Sequence, residues 1–443
     1  MVAFAATVTT AGSARANGAL PGSYGILLPA VRQHDVVLAT NFGMIISEDD
    51  GATWQWTCEQ VETSFGYLYA VGPAPNDRYY GLSPEQGLAY SDDGSCSWHR
   101  SAGALADKIA SDFFVDPTDA TRVVAVAAGL DEEGGVTPQA VYESLDAGTT
   151  FKLTPLYTAP PEAVVVGLEI ARSNPDVVYV AMYTTPGRHP KLLRSGDRGR
   201  TWTERDIEAA VGPNDTRILT VDRDHPDLLY LRVISAGIEK VAVTRDAGVT
   251  FSTPLTIQGG VLSAFVRMPS GTVLVGALAM LASGGMNGLG YRSTDNGMSF
   301  VPWVLAPQPH LMGLAERNGV LYLAGKNYSD GWALATSRDE GATIQPLSRY
   351  DDVRGVRSCA RGVCSGACEF VANQGVWVND VCTGALLVDA GVGVDAGPDG
   401  GEARPPGGGC GCAAADAAAC GGAASMMAVG FALAFARRRR RRR

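Results

Sequence analysis

One eight-residue pattern recurs seven times in this 443-residue chain: Ser or Thr, any residue, Asp, any, Gly, any, Thr or Ser, then an aromatic. The copies start at Ser47 (SEDDGATW), Ser91 (SDDGSCSW), Ser144 (SLDAGTTF), Ser195 (SGDRGRTW), Thr244 (TRDAGVTF), Ser293 (STDNGMSF) and Ser337 (SRDEGATI). Ser95 stands in the glycine position of the second copy, and Ile344 in the aromatic position of the last. Start-to-start spacings of 44, 53, 51, 49, 49 and 44 residues match four short strands with their turns, the unit of a propeller blade. Seven such units close a ring, so the expected fold is an all-β, seven-bladed β-propeller.

Each copy reads as a tight connection between two strands. Gly51, Gly148, Gly199, Gly248, Gly297 and Gly341 supply the positive φ that such a hairpin loop demands. The carboxylates of Asp49, Asp93, Asp146, Asp197, Asp246, Asp295 and Asp339 are placed to accept hydrogen bonds from loop N–H groups, which closes the turn. Trp54, Trp98, Phe151, Trp202, Phe251 and Phe300 begin the following outer strand, where each can bury on the order of 150–250 Å² between sheets. These residues are therefore expected to be structural, and no catalytic residue, metal site or cofactor is assigned to them.

The repeated octapeptide resembles the Asp-box, or BNR repeat, of sialidases, sortilin-type receptors, some glucanases and a photosystem assembly factor. The resemblance covers roughly residues 23 to 350 and implies the propeller fold rather than one activity. In the fourth unit AVVVGLEIA, VVYVAMY, LLRSGDRG and TWTERDI read as four successive strands, and the fifth repeats this with TRILTVD, LLYLRVI, KVAVTRD and TFSTPLT. Counting from GILLPAV, each copy can own a complete four-strand set, so that the ring closes without a borrowed strand. Alternatively, the stretch from Glu369 to Val378 lies against the first blade and latches the ring through disulfides.

Composition agrees with many short strands and tight turns: 46% hydrophobic, 19% charged and 54 glycines, with no long amphipathic helix evident. The expected organisation has a signal peptide at 1–16, the propeller at 17–356 and a Cys-rich closing segment at 357–383. A Gly, Pro and Asp linker at 384–409 and a tail at 410–443 follow. Ala14-Arg15-Ala16 fits the small-residue rule for signal cleavage, although no basic stretch precedes the apolar run. The linker cannot bury a core and reads as a flexible, disordered stalk. Beyond it, Cys410-Gly411-Cys412, an apolar stretch at 421–436 and the arginines at 437–443 resemble the MYXO-CTERM sorting tail of myxobacterial surface proteins. That resemblance implies a short membrane segment, a basic cytoplasmic end and an anchor on Cys410 or Cys412, with the propeller outside.

Without the seven tail arginines, 29 basic residues face 46 acids, a balance of −17 that disfavours nucleic acid as a partner. Six further cysteines, Cys58, Cys96, Cys359, Cys364, Cys368 and Cys382, suit three disulfides in an exported chain. Cys58 and Cys96 lie in the first two units and can pair between neighbouring blades. The other four can also be read as a zinc cluster, but CxxC pairs and a nearby His are missing.

The face opposite the repeated hairpins carries dissimilar loops, which is where a repetitive scaffold puts its function. The stretches there are Asn41 and Phe42, Glu85 and Gln86, Asp131 to Glu133, Tyr183 with Arg188 and His189, Met280 to Asn287, and Lys326 to Asp330. A sialidase needs three convergent arginines; Arg32, in AVRQHD, lacks the FRIP-like context of that family, and the sequence does not bring Arg188, Arg194 and Arg354 together. A glucanase needs two carboxylates across a cleft, roughly 5–10 Å apart, for which Glu85, Asp131, Glu132, Glu133 and Asp330 are available. The five histidines are scattered without ligand spacing. The leading expectation is a non-catalytic, monomeric surface propeller that binds a protein or glycan on its loop face and meets the membrane through its tail. An exported glycoside hydrolase of sialidase or glucanase type is the alternative.

Overall fold

The computed structural model describes residues 21–59, 68–83, 87–281 and 284–386. Signal peptide, most of the linker and the whole tail, with Cys410 and Cys412, lie outside the described residues. No helix among those described is long and apolar enough to cross a membrane.

Seven sets of four antiparallel strands, each set drawn from one contiguous stretch of chain, form the blades. Blade 1 runs Ser23–Leu27, Val36–Thr40, Gly43–Ser47 and Trp54–Thr57 from inner to outer strand. The strands expected in the fourth and fifth units are present at Ala163–Ile170, Val178–Thr184, His189–Ser195 and Thr203–Asp206, then at Asp215–Val221, Leu229–Ser235, Ile238–Thr244 and Ser252–Gln258. Middle strands such as Val36–Thr40 and Val123–Ala128 are buried at every position, because each blade is covered on both faces by its neighbours. The inner strand of blade 1 touches Gly313–Arg317 of blade 7, so the ring closes with no borrowed strand. In blades 1, 3, 4, 5 and 6 the inner strand carries a β-bulge, for example between Ala110 and Asp112 and between Val165 and Gly167.

The apolar core lies between adjacent blades. Tyr80 and Leu82 of blade 2 pack with Phe113 and Val123 of blade 3, and Tyr230 and Val241 of blade 5 pack with Val273 and Val275 of blade 6.

Closure and latch prove to be complementary rather than alternative. After blade 7, Val353–Val356 pairs parallel to Trp54–Thr57 as a fifth strand on blade 1. The Tyr350 hydroxyl lies 2.9 Å from the Ser23 hydroxyl, and the Arg357 guanidinium donates to Glu48 at 2.7 Å. The chain then enters a 13-residue helix, Arg361–Asn373, which the sequence analysis did not anticipate. Its buried face is Cys364, Cys368 and Val371, a helical spacing that half-cystine chemistry hid.

Cys58 and Cys96, which could have paired between neighbouring blades, do not bond each other. Cys58 bonds Cys364, Cys96 bonds Cys359, and Cys368 bonds Cys382. The reason is packing: the closing segment lies against the outer edge of blade 1, where Trp377 meets Trp56 at 5.1 Å and Phe42 at 5.9 Å, and so brings its own cysteines to both blades. These bonds also occupy every cysteine that a zinc cluster would need.

Candidate functional site

The repeated hairpins share one hydrogen-bonding scheme. In the first, the Ser47 hydroxyl donates to Asp49 Oδ1 at 2.7 Å and accepts the Gly51 N–H at 2.8 Å. Asp49 then accepts the Thr53 N–H at 2.8 Å and the Thr53 hydroxyl at 2.7 Å. The first and seventh positions of the pattern are therefore hydroxyl donors to one carboxylate. Equivalent bonds hold Asp93, Asp146, Asp197, Asp246, Asp295 and Asp339.

Two successive residues of each turn take positive φ, as with Asp50 at 57° and Gly51 at 92°. The second copy reverses the order, with Gly94 at 69° followed by Ser95 at 75°, so its glycine is displaced by one position rather than missing. Trp54 and Trp202 donate their indole N–H to the carbonyls of Gly51 and Gly199, both at 3.0 Å. The Trp98 indole reaches the Ser95 hydroxyl at 3.3 Å. Phe151 is buried, while Phe251 and Phe300 are partly buried between blades 4 and 5 and blades 5 and 6.

These bonds hold the carboxylates ionised. Asp197 is pulled down to about 2, first by the Thr201 N–H and then by the Thr201 and Ser195 hydroxyls. Asp246, Asp295 and Asp339 also lie at about 2, led by the Thr250 hydroxyl, the Ser293 hydroxyl and the Thr343 N–H. A carboxylate so committed has no proton to give at neutral pH.

Strand direction alternates within a blade, which puts the repeated hairpins on one face and the second-to-third-strand and blade-to-blade connections on the other. On that loop face a polar group gathers across blades 3 to 5. The Arg188 guanidinium sits 5.8 Å from the Tyr183 ring, and His189 pairs with Glu208 at 2.6 Å. Arg217 pairs with Asp215 at 3.0 Å.

Deeper along the inner strands, Asp112 accepts the N–H groups of Phe113 and Leu168, both at 2.9 Å. Glu169 accepts the Val221 N–H at 2.8 Å and the Thr220 hydroxyl at 3.0 Å. Burial pushes both carboxyls up to about 7, against those hydrogen bonds. Both acids link one inner strand to the next. Sequence reasoning passed over them, although an acid within the otherwise apolar run AVVVGLEIA was a usable signal.

The loop acids considered for glycoside hydrolysis do not form a pair. Glu85 and Gln86 lie outside the described residues. Asp131 closes its own turn on the Gly135 N–H, while Glu132 and Glu133 are simply exposed. Asp330 binds His310 Nδ1 at 2.7 Å and the Lys326 N–H at 2.8 Å. The arginines do not converge either: Arg32 pairs with Asp35, Arg194 with Asp227, and Arg354 is exposed on the fifth strand of blade 1. Of the remaining histidines, His34 and His225 pair with Asp50 and Asp222, and His99 lies 5.6 Å from the Tyr90 ring. No group of His, Cys, Asp and Glu suited to a metal ion occurs among the described residues.

The loop face is also apolar. Tyr24, Ile109, Leu130, Val136, Val261, Met280, Leu281 and Tyr328 lie on it, each between 38% and 64% exposed. Most belong to blades 6, 7 and 1, forming a crescent: Met280 is cross-strand partner to Met286, and Met286 Sδ lies 3.7 Å from Lys326 Nζ. Tyr328 packs 6.0 Å from Tyr350, beside Tyr24. The sequence analysis had located Met280 to Asn287 and Lys326 to Asp330 on this face, but not Tyr24 or the continuity across three blades.

No protein-family model matches the sequence, and no curated protein does. Among solved structures, a puromycin-hydrolyzing peptidase of Mycobacterium tuberculosis is similar at 14% identity and TM-score 0.50, over 76% of this chain and 55% of that one. The GH74 xyloglucanase of Xanthomonas campestris is similar at 14% identity and TM-score 0.36, over 72% of this chain and 57% of that one. YCF48 bound to D1 peptide is similar at 14% identity and TM-score 0.36, over 56% of this chain and 69% of that one. The chain thus spans little more than half the length of the peptidase and the xyloglucanase. At such identities the likeness is one of fold, and the chain is a seven-bladed β-propeller.

Proposed function

We propose that this propeller is a binding module, displayed outside the cell, whose loop face holds a protein partner. The observation that carries the reading is the crescent of exposed Tyr, Met, Leu and Val on that face, since a contiguous apolar patch on a soluble scaffold marks an interaction site. Three disulfides support an oxidising compartment, and the sorting-type tail supports tethering at the cell surface. A hydrolase is disfavoured because every carboxyl of the repeat, together with Asp112, Glu169 and Asp330, already holds N–H or O–H donors.

Lysine-directed cross-linking on intact cells tests this reading. The chain has five lysines, of which Lys108 and Lys326 stand on the loop face, while Lys152, Lys191 and Lys240 lie in strands or beside a repeated hairpin. Intermolecular cross-links should start from Lys108 and Lys326. Turnover of a sialoside or β-glucan panel by the purified chain would overturn the reading.

A further inference from the structure

Among the described residues, the crescent holds a cation, Lys326, that forms no ion pair. Lys326 is partly buried at the end of the second strand of blade 7, and burial pulls its ammonium down from the ordinary lysine value. Among the described residues Asp330 is the acid that acts on it, but both oxygens of that carboxylate are engaged by other donors. Its Oδ1 is 2.7 Å from His310 Nδ1, both its oxygens accept the His310 N–H at 3.1 and 3.2 Å, and Oδ2 accepts the Lys326 backbone N–H. His310 is fixed from its other side by the Met286 carbonyl at 2.9 Å. What remains for Lys326 Nζ is the Met286 thioether at 3.7 Å, a weak acceptor. A half-desolvated ammonium beside a sulfur has forfeited hydration without gaining an ion pair, which is unfavourable until an anion arrives.

The surroundings of that ammonium define what brings the anion. Met280, Leu281 and Tyr328 are 64%, 48% and 56% exposed, and Met286 joins them to Lys326. Methionine side chains repack around varied apolar partners. Beside Tyr328 stand the Tyr350 ring at 6.0 Å and the Asp351 carboxylate, whose own charge is met by Arg349 at 3.0 Å. Resting on the protein-binding reading above, we propose that the sector of blades 6, 7 and 1 docks a polypeptide segment that sets an apolar side chain beside a carboxylate. The apolar group lies on Met280, Leu281 and Tyr328, and the carboxylate meets Lys326 Nζ. Glu59, on the blade 1 side next to Tyr24, is pushed up to about 7 by burial, so it opposes an incoming carboxylate less than an ordinary glutamate would.

The test uses the whole chain on an array of immobilised octapeptides in which Leu, Phe or Met is placed next to Glu, Gln or Lys. Binding to the Glu series should exceed binding to the Gln and Lys series by at least about tenfold, as expected for a charge-assisted contact at a desolvated site. Lys326→Met, which keeps the apolar stem, should erase that preference; Lys326→Arg should keep it and serves as the folded control. Met280→Glu should abolish binding to all series. Equal binding of Glu and Gln peptides, or an unchanged preference in Lys326→Met, overturns the proposal. A silent array with cellular cross-links still starting at Lys108 removes this partner chemistry but leaves the loop-face reading standing. A silent array with no loop-face cross-links removes both. Binding to arrayed glycans instead of peptides overturns the commitment to a polypeptide.

Discussion

The indole N–H of Trp303 in blade 6 donates to the Gly341 carbonyl of blade 7 at 2.8 Å. In the first and fourth hairpins this carbonyl is capped by the tryptophan of the same repeat, Trp54 or Trp202. The last repeat has Ile344 there, and the preceding blade supplies the missing ring. The fit is close enough that a Cβ on Gly341 would stand 2.5 Å from Trp303 Cζ2.

Trp303→Phe therefore removes a buried hydrogen bond while keeping most of the packing, and should destabilise the chain by about 1–2 kcal/mol. Trp303→Ala should destabilise it by about 3–5 kcal/mol, because a cavity is added. Urea unfolding followed by circular dichroism checks both, and equal stabilities of the Phe variant and the parent would refute the capping role.

In other hairpins the carbonyl one residue earlier, just before the glycine, accepts a donor from the neighbouring blade. Tyr80 donates to the Ala147 carbonyl at 3.1 Å, Tyr230 to that of Asn296 at 3.0 Å and Arg122 to that of Arg198 at 3.1 Å. Arg122 is fully buried and also holds Glu143 at 2.9 Å and Asp116 at 3.2 Å. Arg122→Met would strand Asp116 in the interior without its cation. A loss of about 3–5 kcal/mol is expected, and restoration by the further change Asp116→Asn would identify the stranded charge as its source.

How far the fold could be read from sequence depends on the range of the interaction. The hairpins were legible because Asp49, Gly51 and Thr53 act on each other within a few residues, so their chemistry is written in the spacing. Trp303 escaped notice because the carbonyl it caps is 38 residues away. The Cys58–Cys364 bond spans 306 residues, and nothing local selects that partner from the others. Lys326 was hidden for the opposite reason: Asp330, four residues on, is the partner that spacing suggests, and only the approach of His310 from the preceding blade-to-blade connection takes that carboxylate away.

The closing segment predicts an order of reduction. Cys359 is exposed, whereas Cys58 and Cys364 are fully buried, and thiol attack on a disulfide requires access. Mild treatment with a thiol reductant followed by alkylation should label Cys96 and Cys359 before Cys58 and Cys364. Replacing Cys58 and Cys364 together by Ala should also lower the melting temperature: with Cys96–Cys359 intact the bond closes an effective loop of 38 plus 5 residues, which withholds about 4 kcal/mol of chain entropy from the unfolded state. Simultaneous labelling of all four cysteines would show that the latch opens as one unit.

Asp112 and Glu169 predict the pH dependence of stability. Both carboxyls are pushed up to about 7 by burial, with Arg217 facing Asp112 and partly opposing the rise. Between the ordinary carboxylate range and pH 7 the folded chain therefore keeps these two protons, together with that of Glu59, which burial also raises to about 7, whereas the unfolded chain has released them. The stability this contributes is present in acid and is lost as pH rises through 7. The repeat aspartates act in the opposite sense: held at about 2, they stabilise above the ordinary range and withdraw that stability as pH falls towards 2. The chain should thus be most stable near pH 4–5, and each of the two buried acids should give up about 2 kcal/mol between pH 5.5 and 8. Glu169→Gln is the cleaner probe, because Glu169 Oε1 alone accepts both the Val221 N–H and the Thr220 hydroxyl, and a glutamine carbonyl can do the same. Urea midpoints measured from pH 5 to 8 should show a shallower decline in Glu169→Gln and a still shallower one when Asp112→Asn is added, the remainder coming from Glu59, which burial also raises to about 7. A decline of parental steepness in the double variant would move the titrating groups elsewhere in the ring.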